Sequence, residues 1–587
     1  MPAVFVKLKP FIYMNRFRPV ILTVAVVLAG LLAYGVFSLP SPKPYEYEGF
    51  SAGRVVDDIE VISKEHHSVA HPEERARVRE FLVECLYGSQ ADTVKVFRYD
   101  SIVGPKNRHV EYTFDAYDIL AEYPPLKASK DTSYLMFVAH YDSRYSQPMP
   151  KDTVWSYGAA DDGYGLGVTL EMLRHLLMVR DSWSQGVKIL FTDAEEAGML
   201  GMKAIWENNR EVFDNVGLVI NIEARGPWGP ALLFETSAGN SKVTDLYASS
   251  ARYPYTYSLT TVVYGFMPMF TDFTVVKDHI PGLNFSTVAD VNHYHTDLDN
   301  FSNISPKSIQ HYGEQILPVA MKYVTSGEYA DKDALKSEED VVNFTVPVLG
   351  LFNFSKTGYK IFNIVVFVMF LILFGLEGLR GRLGAARTFG RSALVLGLSL
   401  LVFALGEGVA WLSAVAYGAR FKLFGVVQGV PYDNAAMIVS TVLLFAVCAF
   451  TYVCRRKKAV MLTSGSMRAS AASNAAVRHA QTLLYGTLAL MMVLSAVLVF
   501  TLGENLMFLI PLFCGTAAMI LYRLTSLRVW LLAAIVVILL HAFSFLYALA
   551  MALTIGAFGA VAMLAFMDMM VLIPLADLYM MPVARKK

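Results

Sequence analysis

Apolar positions along the chain follow two regimes. Between residues 39 and 330, short apolar runs bounded by turn residues alternate with amphipathic stretches. The runs at 133–139 (SYLMFVA), 187–192 (VKILFT), 217–222 (GLVINI) and 282–287 (GLNFST) read as buried strands. The patterns at 72–87, 163–180, 199–210 and 306–324 read as helices. This alternation predicts an α/β domain, a mixed and largely parallel central sheet with helices on both faces.

The second regime is membrane-like. Residues 19–38 form one apolar stretch of the ~20 residues a spanning helix needs, preceded by Lys7, Lys9, Arg16 and Arg18. A cleaved signal peptide would have a shorter apolar core, ~7–15 residues, ending in small residues. Here Leu39, Pro40 and Pro42 follow Ser38, so an uncleaved anchor is expected. From about 358 onward the pattern predicts seven spans, near 359–379, 392–415, 434–454, 482–502, 505–522, 529–550 and 556–580. The expected organisation is a cytoplasmic N-terminus (1–18), an anchor (19–38), an exoplasmic domain (39–330), a connector (331–357) and an all-α membrane domain (358–587). Basic residues concentrate in alternate loops: Arg380 to Arg391, Arg455 to Arg478, Arg523 and Arg528, and the Arg585–Lys587 terminus. By the positive-inside rule both termini are cytoplasmic and the α/β domain lies outside.

Composition agrees. The chain is 55% hydrophobic and 17% charged, with mean hydropathy +0.43, which suits a membrane protein. Zero net charge gives no reason to expect nucleic acid. Of four cysteines only Cys85 lies in the polar half. A thiolate zinc site or a disulfide framework is therefore excluded there, and any metal must be held by His and carboxylates.

One stretch in the α/β region demands such a cation. VKILFTDAEEAGMLG (187–201) runs an apolar strand into Glu195 and Glu196, yet two like charges ~4 Å apart repel by about 4 kcal/mol in a partly shielded site. VAHYDSR (138–144), NIEARG (221–226) and NHYHTDLDN (292–300) follow the same plan, and GAADDGYG (158–165) opens a helix, with Asp161 or Asp162 as its cap. Sites in parallel sheets form beyond the carboxyl ends of strands. Converged there, the tips supply His140 and His295 with Asp142, Asp161, Asp162, Glu195, Glu196 and Glu223, against only Arg144 and Arg225. Imidazole and carboxylate donors without thiolate suit catalytic zinc, or cobalt or manganese, and a carboxylate can bridge two ions.

With these motifs the chain resembles the co-catalytic zinc aminopeptidases, the group that includes glutamate carboxypeptidases and glutaminyl cyclases. The ADDG form and the YHT around His295 are most similar to its membrane branch of endoplasmic-reticulum metallopeptidases and vacuolar membrane proteases. The resemblance covers roughly residues 50–325. It implies that His140 and Glu223 hold one zinc, Glu196 and His295 another, and that Asp161 bridges them. It further implies Glu195 as general base and Asp142 as support for His140. Asp162 and Asp299 are expected beside the ligands, and Tyr294 matches a position that stabilises the oxyanion in some members. Departures are Glu223 and Tyr164, where soluble relatives usually carry Asp and Ser. Arg225 has no family role; it either attracts a substrate carboxylate or pairs with a structural acid.

The expected function is a membrane-anchored zinc aminopeptidase with two Zn2+ per chain, acting on peptides. Membrane lipid is one expected partner, and a second copy docked through the membrane domain is another. Glutaminyl-cyclase-like acyl transfer is one alternative. The other is a transporter or receptor, in which Glu407, His541, Asp568 and Asp577 would mark a pathway. A chain ending at PVARKK, without the extra luminal domain of eukaryotic relatives, suggests a bacterial inner membrane with the peptidase in the periplasm. Sequons at Asn300 and Asn343 fit an endoplasmic-reticulum or vacuolar lumen instead.

Overall fold

The computed structural model of the chain describes residues 3–35, 39–104, 113–145, 147–148, 153–265, 270–423, 425–431, 433–464 and 469–581. They form two compact units, one of Phe37–Thr345 with Leu349–Lys356, the other of Met1–Val36, Val346–Val348 and Thr357–Lys587.

The first unit is built on β1 (Thr93–Val103), β2 (Thr113–Tyr123) and β3 (Tyr134–His140), a two-residue ladder of β4 (Gln147–Pro148) with β5 (Thr153–Val154), then β6 (Gly186–Thr192), β7 (Val216–Ala224), β8 (Trp228–Thr236) and β9 (Gly282–Ala289). Seven of these make one sheet in the order β1-β2-β6-β3-β7-β9-β8. The four central strands β6, β3, β7 and β9 run parallel. Both margins are antiparallel, so the sheet is mixed around a parallel centre.

Side chains alternate across each strand. Leu135, Phe137 and Ala139 of β3 enter the core beneath the helices Ala52–Ile62, Gly163–Leu177 and Pro306–Thr325. Met136 and Val138 pack on the opposite face with Met202, Ile205 and Phe273. Two helices start on serine caps: Ser51 accepts from the Arg54 N–H, and Ser305, before Pro306, from the Ser308 N–H. Gly167 lets the helix Gly163–Leu177 approach Ala52–Ile62, since a Cβ there would stand 2.8 Å from Val55 Cγ1.

A buried ion cluster fastens these two helices. Glu171 accepts from Arg54 Nε (2.9 Å), Arg174 Nη1 (2.9 Å), the Ser51 N–H (3.0 Å) and His175 Nε2 (3.0 Å). Burial alone would raise its pKa, but His175, Arg54, Ser51 and Arg174 outweigh it and lower it to about 2. Removing one member of a buried pair costs about 3–5 kcal/mol, so Glu171→Ala should lower the melting temperature of the purified protein clearly. The folded pKa is depressed, so this contribution is complete above the ordinary 4.5 and is lost as pH falls toward about 2.

Residues 331–357, read as a connector, contain a hairpin of β10 (Val341–Val346) and β11 (Gly350–Ser355). It folds back on the α/β unit: the Thr345 N–H donates to Thr256 O (2.9 Å), and Asp340 Oδ1 accepts from the Gly239 N–H (2.7 Å).

The second unit is helical. Among the described residues, seven candidate membrane segments are long and apolar enough to cross a membrane, the last of them, Val529–Met580, broken into two helices by a 3-10 turn at Thr554–Ala557. Glu377, fully buried in the helix Lys356–Leu379, accepts from Arg382 Nη1 (3.1 Å) and Arg523 Nη2 (2.9 Å). Asp577 accepts from Tyr452 Oη (2.7 Å) and pairs with Arg456 (2.9 Å).

Candidate metal centre

The parallel strands deliver the acids and imidazoles to one place. β3 ends on His140, and Glu223 is the penultimate residue of β7. After β6 the chain turns through Asp193 and Ala194, the latter with φ +57°, before Glu195 and Glu196. Asp161 and Asp162 precede the helix Gly163–Leu177, and His295 sits with φ +61° in the turns that follow β9. The expected helix cap is Asp162, whose Oδ1 accepts from the Gly165 N–H (3.0 Å) while Oδ2 accepts from the His140 N–H (3.3 Å). That leaves Asp161 to the cleft.

Two donor groups result. His140, Asp161 and Glu223 form one, and Asp161, Glu196 and His295 the other, with ligand atoms in each group within 4.8 Å of one another. His140 Nε2 stands 3.3 Å from Asp161 Oδ1 and 3.6 Å from Glu223 Oε2. His295 Nε2 stands 3.2 Å from Asp161 Oδ2 and 3.0 Å from Glu196 Oε1. Asp161 thus serves both groups, one oxygen to each. Apart from each other, Glu196 Oε1 and His295 Nε2 are buried without a hydrogen-bond partner among the described residues. Lone pairs left idle in a protein interior are costly, and a shared cation would satisfy them. The residues present therefore fit zinc.

Neighbouring groups fix these side chains. Asp142 O lies 2.9 Å from His140 Nδ1, which sets the imidazole with Nε2 toward the cleft. The Asp142 carboxylate accepts from the N–H groups of Glu195 (2.9 Å) and Glu196 (3.3 Å), tying the β3 and β6 tips together. Asn221, two residues before Glu223 and so on the same strand face, donates to Glu223 Oε1 at 3.1 Å. Asp299 accepts from the N–H groups of Ala160 (2.7 Å) and Asp161 (3.3 Å) and from Ser156 Oγ (3.0 Å). Tyr164 is a buried strut: its hydroxyl donates to Pro227 O and accepts from the Ser305 N–H.

The adjacent glutamates occupy opposed fields. Burial drives the Glu195 carboxyl well above its ordinary pKa against the pull of His140, and Glu223, Asp272 and Glu196 add to the rise. Burial opposes Glu196 too, but His295, Arg144 and His140 hold it well below the carboxylate range. Arg144 Nη1 donates to Glu196 Oε2 (3.1 Å) and to its carbonyl (2.7 Å). The sequence marked Arg144 only as a nearby charge; its place four residues after His140 was the available signal. Asp272, which the sequence did not single out, accepts from Thr192 Oγ1 at the β6 tip and is pushed up to about 7, first by burial.

Tyr294 stacks on His295, ring centroids 3.6 Å apart. Arg225 leaves the end of β7 half-buried, and among the described residues it forms no ion pair.

Residues 118–320 match peptidase family M28. Endoplasmic reticulum metallopeptidase 1 of Rattus norvegicus is 28% identical over 245 residues, covering 41% of this chain and 26% of that protein. The vacuolar membrane protease of Schizosaccharomyces pombe is 25% identical over 352 residues, covering 56% of this chain and 38% of that protein. The chain thus spans about a quarter to two-fifths of the length of these relatives. A Zn-dependent exopeptidase from Parabacteroides distasonis aligns at 18% identity over 46% of this chain and 98% of that one, with TM-score 0.37.

Proposed function

From a chain whose residues 118–320 form a peptidase family M28 domain, we infer a membrane-anchored metallo-aminopeptidase that binds two zinc ions and removes N-terminal residues from peptides. The observation that carries this reading is the pair of donor groups sharing Asp161. His140 and Glu223 would hold one ion, Glu196 and His295 the other, and Asp161 would bridge them. When bound, the ions supply an activated water and a polarised peptide carbonyl.

The chain's own residues do the rest. Glu195 is adjacent to the ligand Glu196 but belongs to neither donor group, and burial raises its proton affinity. A carboxylate so placed accepts a proton from attacking water and returns it to the leaving amine. Arg144 keeps Glu196 ionised and oriented. Tyr294, lying against His295, would donate to the oxygen of the carbonyl under attack. Pairs of acids driven to opposite pKa values are how sites divide such roles.

Glutaminyl-cyclase-like acyl transfer needs one zinc, and the second donor group favours the peptidase over it. A transporter would use charge deep in the bundle. Asp577 holds Arg456, while Glu407 and Asp568 are buried there without a hydrogen-bond partner among the described residues. It is the donor groups sharing Asp161 that favour the peptidase. The test is zinc per purified chain together with a panel of aminoacyl peptides. About two zinc ions with stepwise release of N-terminal residues is the expected result. One zinc with a cyclised product would establish acyl transfer instead.

The α/β unit would face the periplasm or an organelle lumen. A cysteine at the exposed Lys336, in an otherwise cysteine-free chain, should react with an impermeant reagent only from that face, and one at Lys458 only from the cytoplasm. Labelling of both from one side would overturn the topology.

A further inference from the structure

Arg225 is a cation with idle donors at the edge of the metal cleft. Among the described residues, its Nε and Nη2 are buried with no hydrogen-bond partner. So is the hydroxyl of Tyr264, on the helix Ser258–Gly265. Arg54, Arg75 and Arg144, by contrast, each grip a carboxylate. Burial acts first on Arg225 and lowers its proton affinity, and the phenols Tyr294 and Tyr264 act on its charge next. Burial raises both phenols first; Glu235, Glu223 and Glu195 then act on Tyr264, and Asp161, Glu196 and Glu195 on Tyr294. Arg225 lies two residues beyond Glu223, ~6.6 Å along the strand direction, so its side chain starts beside the donor group to which Glu223 belongs.

A buried guanidinium with unmet N–H groups is unfavourable by itself. Its planar fork matches a carboxylate in two-point contact. Resting on the peptidase reading, we propose that Arg225 and Tyr264 form a subsite for a substrate carboxylate close to the scissile bond. Two sources share this chemistry: the C-terminal carboxylate of a dipeptide, and an acidic side chain in a longer peptide. Either makes the enzyme selective for anionic peptides.

The experiment compares the full-length detergent-solubilised protein with Arg225→Gln and Tyr264→Phe. The substrates are Xaa-Gly dipeptides, their C-terminal amides, and the amides Xaa-Glu-NH2 and Glu-Gly-NH2. Zinc content and melting temperature are recorded for each variant. The wild type should favour a carboxylate-bearing substrate by roughly 10- to 100-fold in kcat/KM, the worth of a hydrogen bond to a charged group. Preference for Xaa-Gly over its amide assigns the C-terminal source; preference for a Glu-containing amide over Xaa-Gly-NH2 assigns the side chain. Arg225→Gln should abolish that preference through KM, with its zinc content unchanged. Tyr264→Phe, which deletes one hydroxyl, should weaken the preference to a lesser degree. Equal cleavage of charged and neutral peptides by the wild type overturns the subsite. So does a preference that survives both substitutions. A zinc-loaded wild type that cleaves none of these peptides overturns the peptidase reading itself.

Discussion

Glu195→Gln should keep its full zinc content and its affinity for substrate, yet lose roughly 10²–10⁴-fold or more in kcat, the usual worth of a general base. The amide is nearly the same size and leaves the backbone N–H that Asp142 receives at 2.9 Å undisturbed. Only the ability to take up and return a proton disappears. Glu196→Gln should behave differently, because Glu196 Oε1 is a donor atom 3.0 Å from His295 Nε2. That variant should lose zinc from one group and regain part of its activity in excess metal. Zinc per chain beside kcat for each variant decides the matter. Metal loss in Glu195→Gln with full loading in Glu196→Gln would reverse the assignment.

The second large effect is expected at Asp161. Its two oxygens stand 3.3 Å from His140 Nε2 and 3.2 Å from His295 Nε2, so Asp161→Ala removes a donor from both groups at once. Two imidazoles and two glutamates would remain, too few donors for two tetrahedral sites. Zinc should fall from about two per chain to below one, and activity should vanish without rescue by added metal. Asp162→Ala offers the contrast. It deletes the cap on Gly165 N and the contact to His140 N. Loss of a cap costs ~0.5–2 kcal/mol, which should appear mainly as a lower melting temperature. A fully loaded Asp161→Ala would disprove the bridging role.

The central strands were legible because they are buried on both faces and therefore read as unbroken apolar runs. β3, β6, β7 and β9 lie within a residue or two of their expected spans. The margins of the sheet escaped notice for the complementary reason. β1 is largely exposed, and its TVKVFRYDSIV mixes charges among apolar residues. β8 holds Gly229 and Pro230, which read as a turn, although Pro is tolerated on an outermost strand where its missing N–H faces no neighbour. The donor residues were legible for a related reason: His140, Glu223 and the Glu195–Glu196 pair each sit where an apolar strand ends. Tyr264 carries no such mark. It comes from a short helix with no motif around it, and only the three-dimensional arrangement brings its hydroxyl into play.

The buried carboxylate of Glu377 carries a consequence for how the chain is made. Its guanidinium partners emerge from the ribosome at different times: Arg380 and Arg382 follow within five residues, but Arg523 is 146 residues further on. At ~5–20 residues per second, the helix Lys356–Leu379 waits roughly 7–30 s for Arg523. During that interval only the nearby Arg380 and Arg382 can neutralise Glu377, while three more helices and most of a fourth are synthesised. A nascent chain arrested before residue 523 should hold this helix loosely in the bilayer, and Arg382→Ala should impair insertion more than it impairs the stability of the finished protein.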